Sequence, residues 1–266
     1  MSYETREVRD LLERLEGRLS RAVLRGLRGS NAHSATRLLI GADGIHSIIR
    51  THLLGLIKPG YVGYTCWRGL AHISRTGLET WAWGKGCQFG ITPMSQGRAY
   101  WFVQKYAPEG EKDKPGGKKS EVLKMFHQWH DPIPAVIEAT AETDILRNDI
   151  YELKHLRQWS QGRVTLLGDA AHAMTPNLGQ GACQAIEDAV ALGECLKNTT
   201  DIPAALKLYE KHRVTRANNI TRLAHLIGQS VQWGNPILSG ARNTIIRNIP
   251  VSMAIKRFMW LLDYQP

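Results

Sequence analysis

Hydrophobic and polar positions along the chain change period several times, and each change marks an element. In residues 5–28, Val8, Leu11, Leu12, Leu15, Leu19, Val23 and Leu27 fall on one stripe, with arginines and glutamates opposite. That is the pattern of an amphipathic helix, closed by Gly29-Ser30-Asn31. Residues 61–71 alternate behind Pro59-Gly60, and residues 88–92 and 98–105 form two strands of a hairpin across Pro93-Met94-Ser95-Gln96-Gly97. Residues 107–119 mix Pro, Gly and Lys and read as a loop, residues 121–130 as a helix, and residues 144–151 as a returning strand. Residues 164–167 are a short apolar run, long enough for a buried strand. Gly168 and Asp169 stop that strand, and Pro176, Gly179 and Gly181 hold the next segment in a loop. From Ala182 the spacing turns helical through Ile186, Ala189, Val190, Gly193 and Leu196. Ile202-Pro203 opens another helix, which Leu206, Tyr209 and Val214 continue.

Composition narrows the function classes. The chain has 266 residues with 43% hydrophobic content, enough for one large domain or two small ones. Its apolar runs are too short to span a bilayer, and the charged N-terminus has no secretory pattern. Cys66, Cys87, Cys183 and Cys195 show neither CxxC pairing nor metal-ligand spacing, so reduced cysteines and a cytoplasmic location are expected, with no metal. The net charge is +10, and residues 211–262 hold eight Lys or Arg and no Asp or Glu. No zinc-finger spacing or basic-zipper pattern accompanies that charge, which argues against nucleic acid and for a solvated basic face that attracts phosphate-bearing cofactors. The apolar segment 253–264, with Lys256 and Arg257, permits peripheral membrane attachment, but packing on the protein body is the favoured reading.

The chemistry concentrates in residues 162–188. A strand end, one carboxylate, a glycine-flanked glutamine and a helix N-terminus follow one another there. Unpaired N–H groups at a helix start suit an anion or an electron-rich carbonyl. Glycines at 179 and 181 let backbone approach a flat ligand, and Asp169 can accept hydrogen bonds from sugar-like hydroxyls.

Gly168-Asp169-Ala170-Ala171-His172, Pro176, Gly179-Gln180-Gly181 and Glu187-Asp188-Ala189 together resemble the second FAD-binding motif of the flavin-dependent aromatic hydroxylases and related single-component monooxygenases, including those like urate hydroxylase and zeaxanthin epoxidase. Leu38-Leu39-Ile40-Gly41-Ala42-Asp43-Gly44 with Ser47-Ile48-Ile49-Arg50 resembles the family's other internal signature. The resemblance implies an α/β (α+β) fold: an incomplete FAD-binding Rossmann-like domain with an inserted antiparallel substrate-binding sheet. Residues 1–55 would be a partial FAD-binding domain, residues 56–152 the substrate-binding sheet, and residues 153–266 the Gly-Asp motif with C-terminal helices. It further implies that Asp169 binds the ribityl chain, that the backbone of Gly179, Gln180, Gly181, Ala182 and Cys183 lies along the isoalloxazine, and that Asp43 lies near the pyrophosphate. An arginine reaching FAD corresponds to Arg21 or to Arg9. Tyr100 aligns with a substrate-contacting Tyr, Gln88 stands where urate hydroxylases carry an Arg, and Trp67 belongs to an aromatic-rich sheet.

The implied activity is a monooxygenase in which NADH or NADPH reduces FAD, oxygen reacts, and one oxygen atom passes to a small organic substrate, aromatic or cyclic. Such chemistry is the cofactor's and needs no catalytic side chain or metal. His172 suits a general base, yet it sits within the FAD motif and reads as structural. Two departures stand out. No Gly-x-Gly-x-x-Gly string occurs, and only residues 31–37 separate the first helix from the Gly-Ala-Asp-Gly strand. The chain thus resembles roughly the last two-thirds of a family member, lacking the βαβ unit that holds the ADP half of FAD. The alternative is a truncated, non-catalytic remnant that no longer binds FAD tightly.

Overall fold

The computed structural model describes residues 38–73, 79–197 and 199–265. The first amphipathic helix, with Arg9 and Arg21, lies outside the described residues. In chain order the elements are β1 (Leu39–Gly41), α1 (Ile48–Leu54), β2 (Gly60–His72), β3 (Thr80–Trp83), β4 (Cys87–Met94), β5 (Arg98–Tyr106), α2 (Gly117–Phe126), α3 (Ile133–Glu138), β6 (Leu146–Glu152), β7 (Ser160–Gln161), β8 (Val164–Leu166), α4 (Asp169–His172), α5 (Gly181–Lys197), α6 (Ile202–Val231), α7 (Pro236–Asn248) and α8 (Val251–Leu262). They divide between two compact units. Of the described residues, one comprises 38–60, 152–225 and 258–265, the other 61–151 and 226–257.

The first unit is built on a three-stranded sheet of order β1-β8-β7. β1 and β8 run parallel with Leu39 opposite Val164 and Gly41 opposite Leu166, so both strands deliver their C-terminal ends to the same edge. Gly41 is required by packing: a Cβ there would lie 2.7 Å from the Ile49 Cβ and 2.9 Å from Leu166. That close approach seats α1 on the sheet. Leu39, Ile49, Trp159, Leu166, Leu192 and Tyr209 form the core, and burying such side chains stabilises the unit by roughly 1.5–3 kcal/mol each.

The second unit is a five-stranded sheet of order β3-β4-β5-β2-β6. The β4–β5 hairpin pairs Cys87 with Lys105 and Met94 with Arg98, and β2 lies antiparallel to the other side of β5. One face, with Trp67, Phe89, Ile91, Trp101 and Val103, is covered by Val122, Phe126, Ile133 and Val136 of α2 and α3. α2 starts at Gly117, four residues ahead of its sequence-based boundary and inside the expected loop. The reason is a distant cap: the Glu142 carboxylate accepts from the amides of Lys118 (2.8 Å) and Lys119 (2.9 Å). Asp144 belongs to a 3-10 turn, so β6 begins at Leu146. Among the described residues no helix is long and apolar enough to cross a membrane.

Candidate functional site

The apolar run that forms β8 ends in a loop aimed past the carboxyl edge of the parallel pair, the side on which open α/β sheets bind ligands. Gly168 turns the chain with φ +62°, and a Cβ there would press on Ala185 at 3.1 Å. Asp169 follows, exposed, and its carboxylate has no partner among the described residues. Gly179, at φ +63°, closes the loop in the left-handed region, and α5 opens at Gly181. A Cβ at Gly179 or Gly181 would meet nothing within 4 Å. Ala182 and Cys183 are exposed on the first turn. The loop and helix start therefore present open backbone, with the unpaired amides of a helix N-terminus and one free carboxylate nearby in sequence.

What holds this loop is a buried polar network that sequence reasoning did not assign. Asp188, fully buried on α5, accepts from the Gly168 amide at 2.9 Å and pairs with His172 Nε2 at 2.6 Å through the same oxygen. Its other oxygen accepts from Arg213 Nε at 2.8 Å. Arg213 also donates to Gln184 Oε1 at 2.8 Å and pairs with Glu187, which Arg216 contacts at 2.7 Å. Burial works to depress the Arg213 pKa, but the Asp188 and Glu187 carboxylates outweigh it and hold it above its ordinary value. Burial likewise pushes Glu187 upward, and the arginine hydrogen bonds reverse that and leave it lowered. His172 is thus a buried strut against Asp188 and the Trp159 ring, at 5.2 Å between centroids. Gln180 is drawn into the same network: it is 8% exposed, and its Oε1 accepts from Gln184 at 3.4 Å.

Asp43 follows the end of β1, as Asp169 follows the end of its parallel partner β8. Its carboxylate is engaged locally, accepting from Ser47 Oγ (2.5 Å) and from the amides of Ile48 (2.7 Å) and Ile49 (3.2 Å). It caps α1 together with Ser47, whose oxygen accepts from the Arg50 amide. Arg50, 1% exposed, ties the two motif loops by donating to the carbonyls of Ala170 (3.0 Å) and Ile45 (2.6 Å). Its place in Ser47-x-x-Arg50 was the only sequence signal for that role.

On the second unit the register sorts the three expected substrate residues. Gln88 lies opposite Gln104, and Tyr100 opposite Thr92 and Leu70, so Gln88 and Tyr100 share one face of the sheet. Gln88 Nε2 donates to Gln104 Oε1 at 2.6 Å, while Tyr100 is partly exposed and burial raises its phenol pKa. Trp67 pairs with Val103 on the opposite face. It is fully buried in the core beneath α2 and α3, with the Arg147 guanidinium 4.9 Å from its ring. The sheet does not bring Trp67 together with Tyr100 and Gln88. Between the latter two lies Phe102, whose ring occupies the space a Cβ on Gly90 would need, at 2.2 Å.

Comparison with known proteins gives consistent matches. The family described as "FAD binding domain" matches residues 3–224. The chain is 46% identical over 232 residues to an aurachin C monooxygenase/isomerase of Stigmatella aurantiaca, covering 86% of this chain and 60% of that protein. It is 39% identical to a zeaxanthin epoxidase of an Oncidium hybrid cultivar, covering 76% of this chain and 32% of the relative. Among solved structures, Klebsiella pneumoniae HpxO complexed with FAD and uric acid superposes with a TM-score of 0.78 at 32% identity, covering 84% of this chain and 59% of that one. The chain therefore spans 60% or less of the length of these three relatives.

Proposed function

The chain belongs to the FAD-binding domain family, and from that premise we propose that the protein is an FAD-dependent monooxygenase. It would use NADH or NADPH and oxygen to hydroxylate or epoxidise a small cyclic or aromatic molecule. The observation that carries the reading is the combination of an exposed Asp169, without a side-chain partner among the described residues, and an unobstructed helix start at Gly181. The donor set suits FAD: a carboxylate for ribityl hydroxyls, and backbone amides with no Cβ in the way for the polar edge of a flat ring. When bound, FAD would carry electrons from the nicotinamide to oxygen and supply the oxygen-transfer chemistry.

The chain's own residues bind and orient. Asp169 accepts hydrogen bonds from the cofactor. The backbone of Gly179, Gln180 and Gly181, with the first turn at Ala182 and Cys183, forms the surface the ring lies along. Asp43 acts by fixing the α1 start at the neighbouring strand end, since both its oxygens are already engaged there. On the sheet of residues 56–152, Tyr100 is the partly exposed residue of the substrate-facing side, and Gln88, buried on the same face and bonded to Gln104, supplies no fixed positive charge there, which disfavours an anionic substrate. Trp67 supports that sheet from its core.

The test is direct. Titration of the purified chain with FAD, followed by flavin fluorescence and the visible spectrum, is expected to show saturable binding, and NAD(P)H should bleach the bound flavin. Asp169→Ala is expected to weaken FAD about 10- to 100-fold, the worth of a hydrogen bond to a charged group. A colourless protein that FAD cannot reconstitute would overturn the proposal in favour of a non-catalytic family member.

A further inference from the structure

The polar network behind the candidate site's loop is completed by residues 260–264, to which the oxygenase reading gives no role. They belong to the same unit as the network. Arg213 and Arg216 stand three residues apart on α6, so their side chains share one face of that helix. Both guanidiniums pair with the same oxygen of Glu187, and Arg213 also pairs with Asp188. Two cations thus meet two carboxylates, and the charges balance. Charge balance does not supply a cover. Arg213 and Asp188 have no solvent exposure, and their bond keeps its strength only while water stays out.

The Tyr264 ring provides that cover. Its centroid lies 4.7 Å from Arg213 Cζ and 5.1 Å from Arg216 Cζ, so one aromatic face serves two guanidiniums. The ring is half-buried and packs on the core of the first unit. Arg216 in turn fastens the chain that carries Tyr264. It donates from Nη1 to the Trp260 carbonyl at 2.7 Å and from Nη2 to the Leu261 carbonyl at 3.1 Å, acceptors that the last turn of α8 leaves without intrahelical partners. Beyond Arg213 the contacts run straight to the site: Asp188 holds Arg213 with one oxygen and the Gly168 amide with the other, and Asp169 is the next residue. Three contacts therefore separate the Tyr264 ring from the turn that presents the Asp169 carboxylate.

We propose that Tyr264 is a positioning residue for the Gly168-Asp169 turn, acting through Arg213 and Asp188. Its consequence for flavin binding rests on the reading of Asp169 as the cofactor's carboxylate. The experiment is amide hydrogen exchange of the full chain without cofactor, read at Gly168, whose N–H exchanges only when its bond to Asp188 opens. Tyr264→Leu keeps an apolar cover and removes the aromatic face, and exchange at Gly168 is expected to become about fivefold faster, the worth of one cation–π contact. Amides of β1 should exchange as in the wild-type protein, and Tyr264→Phe, which keeps the ring, should restore the slow rate at Gly168. Tyr264→Leu should also bind FAD more weakly by a similar factor. Wild-type exchange at Gly168 in Tyr264→Leu, equal acceleration at β1, or a Tyr264→Phe protein as fast as Tyr264→Leu would overturn the proposal. Because the exchange is read without cofactor, a wild-type chain that takes up no FAD would overturn the flavin reading and leave the positioning role to be decided at the Gly168 amide.

Discussion

Arg50 donates from Nη1 to the Ala170 carbonyl at 3.0 Å, joining residues 120 positions apart in the sequence. The contact links the loop after β1 to the loop after β8, and the same guanidinium also holds the carbonyls of Ile45 and Ile57. Removing the donor leaves buried acceptors without water or a partner. Arg50→Met is expected to lose about 3 kcal/mol of stability, measured by urea unfolding, and Arg50→Lys is expected to recover only part of it because one ammonium cannot span the acceptors. A full-strength Arg50→Met protein would show that the loops are held by other means.

Asp188 carries the second tie. It faces the Gly168 amide, His172 and Arg213 with no exposure of its own. Asp188→Asn leaves the Arg213 charge short of a buried counter-ion and is expected to cost about 3–5 kcal/mol. The double substitution Asp188→Leu with Arg213→Met should be less destabilised than Asp188→Asn, since it removes both charges. If the double variant is the worse of the two, hydrogen bonding at Gly168 and His172 matters more than charge pairing.

Glu187 makes the fold sensitive to acid. Its pKa is lowered: burial opposes ionisation, and the hydrogen bonds and charges of Arg216 and Arg213 prevail. A folded value below the unfolded one contributes stability that is complete above the ordinary glutamate pKa, about 4.3, and is lost as pH falls through the folded value. The stability gap between the wild-type protein and Glu187→Gln should therefore be widest near neutrality and close in acid. Chemical unfolding midpoints between pH 7 and pH 3 measure it, and a gap that persists at pH 3 would contradict the assignment.

Cys183 reports on the proposed cofactor position. It is exposed on the first turn of α5, whereas Cys66 is buried and its thiol is pushed up to about 12 by that burial. Iodoacetamide at pH 8 should modify Cys183 and spare Cys66, as read by peptide mass spectrometry. Added FAD should slow labelling at Cys183 several-fold. Unchanged labelling at saturating FAD would place the flavin elsewhere.

Sequence alone located the strand at Val164, the loop through Gly168-Asp169 and the helix after Gly179-Gln180-Gly181, because short-range signals of period and turn residue mark them. It could not tell which side of α5 faces inward. The apolar stripe of Ala182, Ile186, Ala189, Val190 and Gly193 is exposed, and the buried side carries Gln184 and Asp188 alongside Ala191, Leu192 and Cys195. A polar residue on a helix suggests solvent until its partner is known. Here the partner is Arg213, 25 residues on, which no local pattern announces. The cap of α2 by Glu142 and the separation of Trp67 from Tyr100 are of the same kind, one set by a distant carboxylate and the other by strand register.

The Asp188 contacts have a mechanical corollary. The helix whose first turn forms one wall of the candidate site also grips, through one carboxylate, the amide immediately before Asp169. A tilt of that helix would carry the aspartate with it, so wall and carboxylate move as one piece. Ligand contacts to the two should consequently be gained or lost in a single step, and a molecule that reaches only one of them would draw little benefit from the other.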